Sequence, residues 1–353
     1  MARRALTDAC LAVVQAVRAL PAAPWAVACS GGADSLALAW AAAHVASRRG
    51  TPCRAVVVDH GLQPGSDAVA AGVAERLAAL PDPGGRAGGT LSLPAAVVRV
   101  SVPDAGDGPE ASARRARYAA LEAASAGRWA PEGERVLLGH TRSDQAETVL
   151  LGLARGSGTR SLAGMPAERG VFVRPLLGLD RAVTAAACAD LGLTPWTDPH
   201  NAERRFARVR VRESVLPLLE AELGPGVAQA LVRTAALARA DADLLDSLAA
   251  GVLAAAPRRE ASDRGPIPAE LDAAWLAGLP PALRDRALRA WLAERGCAEA
   301  SFGHVAVVAA LVTGWHGQKG ADVPGARVVR RNGWLGTRPD AGADDYDASR
   351  GRC

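Results

Sequence analysis

Short, mostly apolar runs alternate with stretches of helical spacing along the first half of the chain. The runs occupy residues 25–29, 55–58, 95–100 and 135–139, and each gives way to polar or glycine residues. Between them, residues 36–40, residues 66–80 and a segment carrying Glu110, Arg114, Arg117 and Tyr118 read as helices, and another helix opens near His140. Strands that are apolar throughout, rather than alternating, predict a mostly parallel sheet covered by helices on both faces, the doubly wound α/β class. Ligands of such sheets sit at the carboxyl ends of the strands, so the residues just after 29, 58 and 139 become candidates. Residues 81–90 read as a Gly/Pro-rich surface loop.

After residue 216 the pattern changes. Leu218, Leu219, Leu223, Leu231, Leu237, Leu244, Leu245 and Leu248 recur at helical spacing with Arg and Glu between them, which predicts a separate all-helical domain. A break is expected at 256–268, and Trp275, Leu279, Leu283, Leu288, Trp291 and Leu292 continue the pattern. Residues 323–331 predict a short basic hairpin, and 341–353 a disordered acidic tail. The expected organisation is an α/β domain at 1–215, a helical domain at 216–312, a short extension at 313–340 and the tail.

Composition narrows the class. With 353 residues, 49% of them hydrophobic, the chain can build more than one core. Asp8, Gln15 and Arg18 interrupt the N-terminal segment, which reads as an amphipathic helix rather than a signal peptide. No uncharged run approaches membrane-spanning length, so a cytoplasmic protein with no membrane partner is expected. Six cysteines without a Cys-x-x-Cys pair indicate neither a zinc knuckle nor a disulfide framework. Net charge is +4 and lysine occurs once, at Lys319, so phosphates must be met by arginine and backbone, and Schiff-base chemistry on an enzyme lysine is disfavoured.

The sharpest chemical signal is Ser30-Gly-Gly-Ala-Asp-Ser35, set between the first strand and a helix. Such a turn aims consecutive backbone N–H groups and a helix N-terminus at one point, which suits a phosphate. Gly31 and Gly32 permit close approach, and Ser30 and Ser35 add hydroxyls. Asp34 would repel a nucleotide unless a divalent cation lay between them, so it implies Mg²⁺. Neither the Walker spacing nor Gly-x-Gly-x-x-Gly is present, which excludes a P-loop GTPase and a Rossmann dehydrogenase. His140 and Asp144, four apart at another strand end, are candidates for proton transfer or metal binding, and a shared first helical turn would bring them together. Arg114 and Arg117, three apart, share a helix face. Arg204, Arg205, Arg208, Arg210 and Arg212 form an arginine run suited to RNA phosphates, with 204, 208 and 212 on one helical stripe.

The hexapeptide at 30–35 resembles the signature of the PP-loop, or N-type, ATP pyrophosphatases. Further blocks are similar to one family within them, the tRNA(Ile)-lysidine synthases: Val58-Asp-His-Gly-Leu62, Glu110 to Tyr118, Leu138 to Thr148, Arg155 to Met165, Arg174-Pro-Leu-Leu177, Trp196 to Asn201, Arg208-x-Arg210-x-Arg212 and Leu216-Pro217. They run in family order from residue 24 to about 220. The resemblance implies that ATP adenylates the C2 oxygen of the wobble cytidine in a CAU anticodon of tRNA(Ile), and that the ε-amine of free L-lysine then displaces AMP. It implies ATP contacts at Ser30, Gly31, Gly32, Ala33, Asp34, Ser35, Val58 and Gly139, and chemistry at Asp34, His140, Asp144, Arg114 and Arg117. Mg²⁺ would lie on Asp34 and Asp144, and tRNA on Arg204, Arg205, Arg208 and Arg212, with Arg208 and Arg212 alternatively serving the chemistry. Val209 departs from the polar Asn common in the family. The number of subunits stays open, a homodimer being one option. Two rivals remain at this point: a tRNA thiolase of the same superfamily, which would need a catalytic cysteine, and a non-catalytic nucleotide-dependent RNA-binding module.

Overall fold

The computed structural model describes residues 5–61, 63–83, 89–102, 109–126, 134–156, 158–198, 203–259 and 270–339. The chain divides into two compact units, Met1–Ala236 and Leu237–Cys353.

In the first unit α1 (Asp8–Arg18) is capped by the Thr7 hydroxyl, which accepts from the Cys10 amide at 3.3 Å. Then follow β1 (Trp25–Ala28), α2 (Ala33–Arg49), β2 (Cys53–Asp59), α3 (Ser66–Ala78), the short pair β3 (Leu80–Pro81) and β4 (Thr90–Leu91), β5 (Ala95–Arg99) and α4 (Pro109–Ser125). Next come β6 (Arg135–Leu138), α5 (Arg142–Ala154), α6 (Gly158–Leu162), β7 (Glu168–Arg169), β8 (Phe172–Val173), α7 (Arg181–Asp190), α8 (Ala207–Arg210), α9 (Leu216–Leu223) and α10 (Val227–Ala255). The division between the units falls within α10.

Six strands form one sheet in the order β5-β2-β1-β6-β8-β7, parallel except that β7 runs against β8. Successive strand residues point to opposite cores. Val27, Ala55, Val57, Leu137 and Val173 pack with α1, α2, α3 and α7, whereas Ala26, Val56, Val136, Leu138 and Phe172 pack with Leu121 of α4. With both faces covered, the central strands β1 and β6 carry no polar alternation, whereas the edge strand β5 leaves Val97 exposed. The chain winds outward from β1 in both directions, to β2 on one side and to β6 on the other. A sheet that reverses its strand order in this way opens a crevice outside the carboxyl ends of the two central strands.

Two features were absent from the sequence reading. The β7–β8 hairpin turns at Gly170, with φ +56°, and strands of two residues leave no periodic trace. Leu80 and Leu91 pair as β3 and β4 across the expected loop, whose residues 84–88 lie outside the described ones.

The second unit holds β9 (Arg258–Arg259), β10 (Glu270–Asp272), α11 (Ala273–Ala277), α12 (Pro281–Glu294), α13 (Phe302–Thr313), β11 (Ala321–Val323), β12 (Ala326–Arg331) and β13 (Trp334–Pro339). The expected basic hairpin is present as β11–β12, but it belongs to an antiparallel five-stranded sheet, β11-β12-β13-β10-β9. Trp291, Leu271, Leu288, Val308, Val328 and Leu335 form its buried core with the helices. The tail at 341–353 and most of the expected break at 256–268 lie outside the described residues. Among the described residues no single helix is long and apolar enough to cross a membrane.

Candidate active site

At the β1–α2 junction, Gly31 takes φ +85°, and a Cβ there would lie 2.6 Å from Val73 Cγ2. Its carbonyl accepts from the Trp196 amide at 2.9 Å, which ties the loop to the segment after α7. Gly32 is the N-cap of α2 and offers no side chain to the first-turn amides, unlike Thr7 on α1. Its carbonyl accepts from the Leu36 amide and the Ser35 hydroxyl, both at 2.9 Å. Ser35 Oγ in turn accepts from the Ser30 amide at 3.2 Å, so this hydroxyl shapes the loop, while Ser30 itself is exposed. Ala33 begins the helix half-buried. Gly139, just past β6, packs against the same turn: a Cβ there would stand 3.1 Å from the Asp34 carbonyl and the Ser35 nitrogen. Val58 pairs with Val98 and packs partly buried on the α4 face. The result is an uncapped helix N-terminus at the crevice, with backbone close on both sides.

Beside it lies a network of three carboxylates and three guanidinium groups. Asp34 Oδ2 accepts from Arg181 Nε at 3.2 Å, and Oδ1 accepts from the Thr184 hydroxyl. Asp144 Oδ1 accepts from Arg181 at 2.8 Å, while Oδ2 accepts from the Thr141 amide at 2.8 Å and the Thr141 hydroxyl at 2.9 Å. Glu147, whose side chain is 1% exposed, accepts from Arg208 at 2.8 Å and from Arg212 at 2.7 and 3.0 Å, with Arg181 at 3.7 Å. Burial raises the Asp34 pKa above the ordinary carboxylate value, with Thr184 and Arg181 opposing. Asp144 is also desolvated, but Arg181, the Thr141 amide and Arg208 outweigh burial and hold its pKa low.

A second, cationic cluster forms around Tyr118. Arg114 donates to its hydroxyl at 3.3 Å and Arg174 at 3.4 Å, and the Arg114 and Arg117 guanidinium groups stand 5.0 and 5.8 Å from its ring centre. Arg117 pairs with no carboxylate among the described residues, and burial lowers its pKa. His140 is pushed down to about 3, first by burial and then by Arg174, Arg117 and Arg114, against the pull of Asp144. The Nδ1 atoms of His140 and His60 and the Nε of Arg174 are buried without a hydrogen-bond partner among the described residues.

Two sequence expectations are corrected here. His140 and Asp144 do not share a helical turn: α5 starts at Arg142, His140 precedes the Thr141 cap, and Asp144 is the third helical residue of a capping box. Nor do residues 204, 208 and 212 form one stripe. Phe206 is the N-cap of α8, so Arg204 lies in the preceding turn, whose carbonyls at 204 and 205 are held by Arg210 at 2.8 and 2.7 Å. Arg204 and Arg205 are exposed, bonded to Ser214 and Glu203, while Arg208 and Arg212 point inward to Glu147. A π-helical turn, Val211–Val215, continues α8. Val209 is buried and brings no polar group to the site.

A family model described as a PP-loop domain matches residues 7–219, and one described as the TilS substrate binding domain matches residues 271–335. The tRNA(Ile)-lysidine synthase of Leifsonia xyli subsp. xyli is 50% identical over 323 residues, 90% of this chain and 92% of that protein. That of Nocardia farcinica is 51% identical over 322 residues, again 90% and 92% of the two chains. The chain belongs to the tRNA(Ile)-lysidine synthases.

It is therefore an ATP-using, tRNA-modifying enzyme built on a PP-loop domain. Sequence reasoning gave no role to Glu147, Arg181, Thr184 or Arg174 in this lysidine synthase. Glu147 and Arg174 stand inside quoted motif blocks, and a glutamate three residues after Asp144, on the same helix face, was the available signal. Arg181 and Thr184 carried no local signal, because they meet Asp34 only across 147 and 150 residues of chain.

The uncapped α2 N-terminus and the close-packed glycines fit a triphosphate. Among the described residues no group of three or more His, Cys, Asp or Glu side chains could hold a metal alone. Mg²⁺ uses one or two carboxylates and completes its shell with phosphates and water, so Asp34 and Asp144, joined through Arg181, fit that requirement.

Proposed function

We propose that this lysidine synthase ligates free L-lysine to C2 of the wobble cytidine in the CAU anticodon of tRNA(Ile). In the first step the C2 oxygen attacks the α-phosphorus of ATP, the α–β bond breaks, and pyrophosphate leaves. In the second the ε-amine of lysine attacks C2, the C–O bond to the adenylate breaks, AMP leaves, and the amine proton passes to a base. The observation that carries this reading is that Asp34 belongs both to the uncapped first turn of α2 and to the Asp34–Asp144–Glu147 network with its three arginines. A phosphate cradle and an ampholyte-binding site thus share one residue.

In this reading Ser30, Gly31, Gly32, Ala33 and Ser35 cradle the phosphates, with Val58 and Gly139 forming the walls. Asp34 and Asp144 hold Mg²⁺, which when bound offsets the charge on the departing pyrophosphate. Arg114 and Arg117, steadied by Tyr118, face the charge that develops on the cytidine and α-phosphate. His140, kept neutral, adds a hydrogen bond, and Asp144 does its two jobs in sequence, holding the metal during adenylation and taking the amine proton during ligation. Arg208 and Arg212 with Asp144 and Glu147 present both signs of charge, as a free amino acid with one carboxylate and two ammonium groups requires. Arg204 and Arg205 meet tRNA phosphates, and the helical segment 216–312 with the extension 313–340 grips the tRNA. The site of action in this reading is the cytoplasm.

The thiolase reading finds no support in the thiols. Cys29 is buried and its pKa raised by burial, and burial pushes Cys53 up to about 12 and Cys188 up to about 11, so none of these three is a thiolate at neutral pH.

The deciding experiment supplies ATP, Mg²⁺, labelled lysine and a tRNA(Ile) transcript bearing CAU. Label should enter the RNA and be lost when the wobble cytidine is changed to uridine or when Asp34→Ala or Asp144→Ala is used. ATP binding without pyrophosphate release, or incorporation indifferent to the wobble base, would refute the proposal.

A further inference from the structure

Among the described residues, Arg181 is the one side chain within hydrogen-bond distance of both carboxylates assigned to the metal. Its Nε is 3.2 Å from Asp34 and its terminal nitrogen 2.8 Å from Asp144, whereas Arg208 and Arg212 come only to 3.8 Å from Asp144 and bond instead to Glu147. Its backbone is fixed as the first residue of α7, since the preceding Asp180 is the helix N-cap and pairs with Arg142 at 3.0 Å. The Arg181 side chain is 31% exposed, against 11% for that of Asp144. It is thus an anchored but displaceable cation, lying where a metal shared by the two carboxylates would lie.

We infer that Arg181 is a stand-in cation for the Asp34–Asp144 pair and prevents a free divalent ion from entering, so that the metal arrives only on the nucleotide. The inference rests on the metal reading under Proposed function. A guanidinium and a divalent ion repel each other and compete for the same carboxylate lone pairs. Mg²⁺ also dehydrates reluctantly, so two carboxylates already satisfied by Arg181 offer it little. Triphosphate oxygens change that balance by giving both the metal and Arg181 new anionic partners. The binding order follows: the carboxylates stay ionised and correctly spaced without metal, and Mg²⁺ and ATP enter together. Arg181 is a positioning residue in this scheme, acting through Asp34 and Asp144.

The test is protein-bound Mn²⁺ measured by equilibrium dialysis on the full chain, with and without α,β-methylene-ATP, which cannot transfer its α-phosphorus. Wild type should retain Mn²⁺ only with the analogue. Arg181→Gln should bind Mn²⁺ alone at least about tenfold more tightly than wild type, and Arg181→Lys, which keeps the charge without the fork, should fall between. Circular dichroism reports whether each variant is folded, and Arg181→Lys carries the comparison if Arg181→Gln does not fold. An Arg181→Gln protein that is folded yet binds free Mn²⁺ no better than wild type overturns the inference, as does a wild type that binds Mn²⁺ equally with and without the analogue. Mn²⁺ missing from the wild type in both conditions overturns the metal reading of Asp34 and Asp144 itself, and the inference with it.

Discussion

At Gly31 two constraints coincide: a left-handed φ of +85° and a space already taken by Val73. Gly31→Ala should therefore weaken ATP binding by at least about tenfold and lower the melting temperature, at a strain cost of about 1–3 kcal/mol. Gly32→Ala makes the control, because Gly32 has φ −69° and the nearest atom to its added Cβ is 3.8 Å away. A nucleotide titration and a thermal melt of both variants check the contrast. Glu147 poses the complementary case. Replacing it by alanine strands Arg208 and Arg212 without their short partners and should cost about 3 kcal/mol along with all turnover, read by denaturant unfolding and lysine incorporation. Asp34 was legible in the sequence because a carboxylate beside a phosphate turn is chemically incongruous. Glu147 was not, since a glutamate on a helix is ordinarily solvated, and only the fold shows it buried under arginines.

At the scale of elements, the segment after Phe206 separates two kinds of arginine that a linear run does not distinguish. The helix begins at Ala207 and passes into a π turn at Val211–Val215, which accompanies the inward reach of Arg208 and Arg212 to one carboxylate. Arg204 and Arg205, in the turn before it, stay outside. Replacing Arg204 and Arg205 together by alanine should weaken tRNA binding, reduce the slope of log affinity against log salt by about 1–2, and leave kcat near wild type. Arg208→Ala should instead abolish turnover while tRNA affinity changes little. Filter binding across a salt series, beside single-turnover lysine incorporation, distinguishes the two classes. The strands β1, β2 and β6 could be read from the chain because each centres on an apolar run packed on both faces. The two-residue strands β7, β8 and β9 could not, as pairing of that length is imposed by neighbours and not by local pattern.

For the whole molecule, burial of neutral imidazoles contributes to the pH dependence of stability. His140 is depressed to about 3 and His44, packed against Trp40 and facing Arg48, Arg18 and Asp82, to about 4. An unfolded chain binds these protons near pH 6.5, so between the folded and unfolded values it holds more protons than the native state, and stability rises with pH. The contribution is complete above about pH 6.5 and is lost progressively as the pH falls toward the folded values. Asp144, also lowered, adds to the loss at still lower pH, and Asp34, raised by burial, opposes it. Melting temperature should fall steadily between about pH 7 and about pH 5, and His44→Gln should flatten that fall; a wild-type curve that is level across the window would contradict the assignment. The switch-point crevice brings together residues as far apart in the chain as Asp34, Asp144 and Arg212, and the central claim is that this crevice passes the α-phosphorus of ATP to an oxygen of RNA. The most direct measurement incubates the protein with ATP labelled at the α-phosphate, Mg²⁺ and CAU-bearing tRNA, with lysine left out. Label should appear on the RNA and be released as AMP once lysine is added. Label recovered on lysine, or no transfer to RNA at all, would contradict the account.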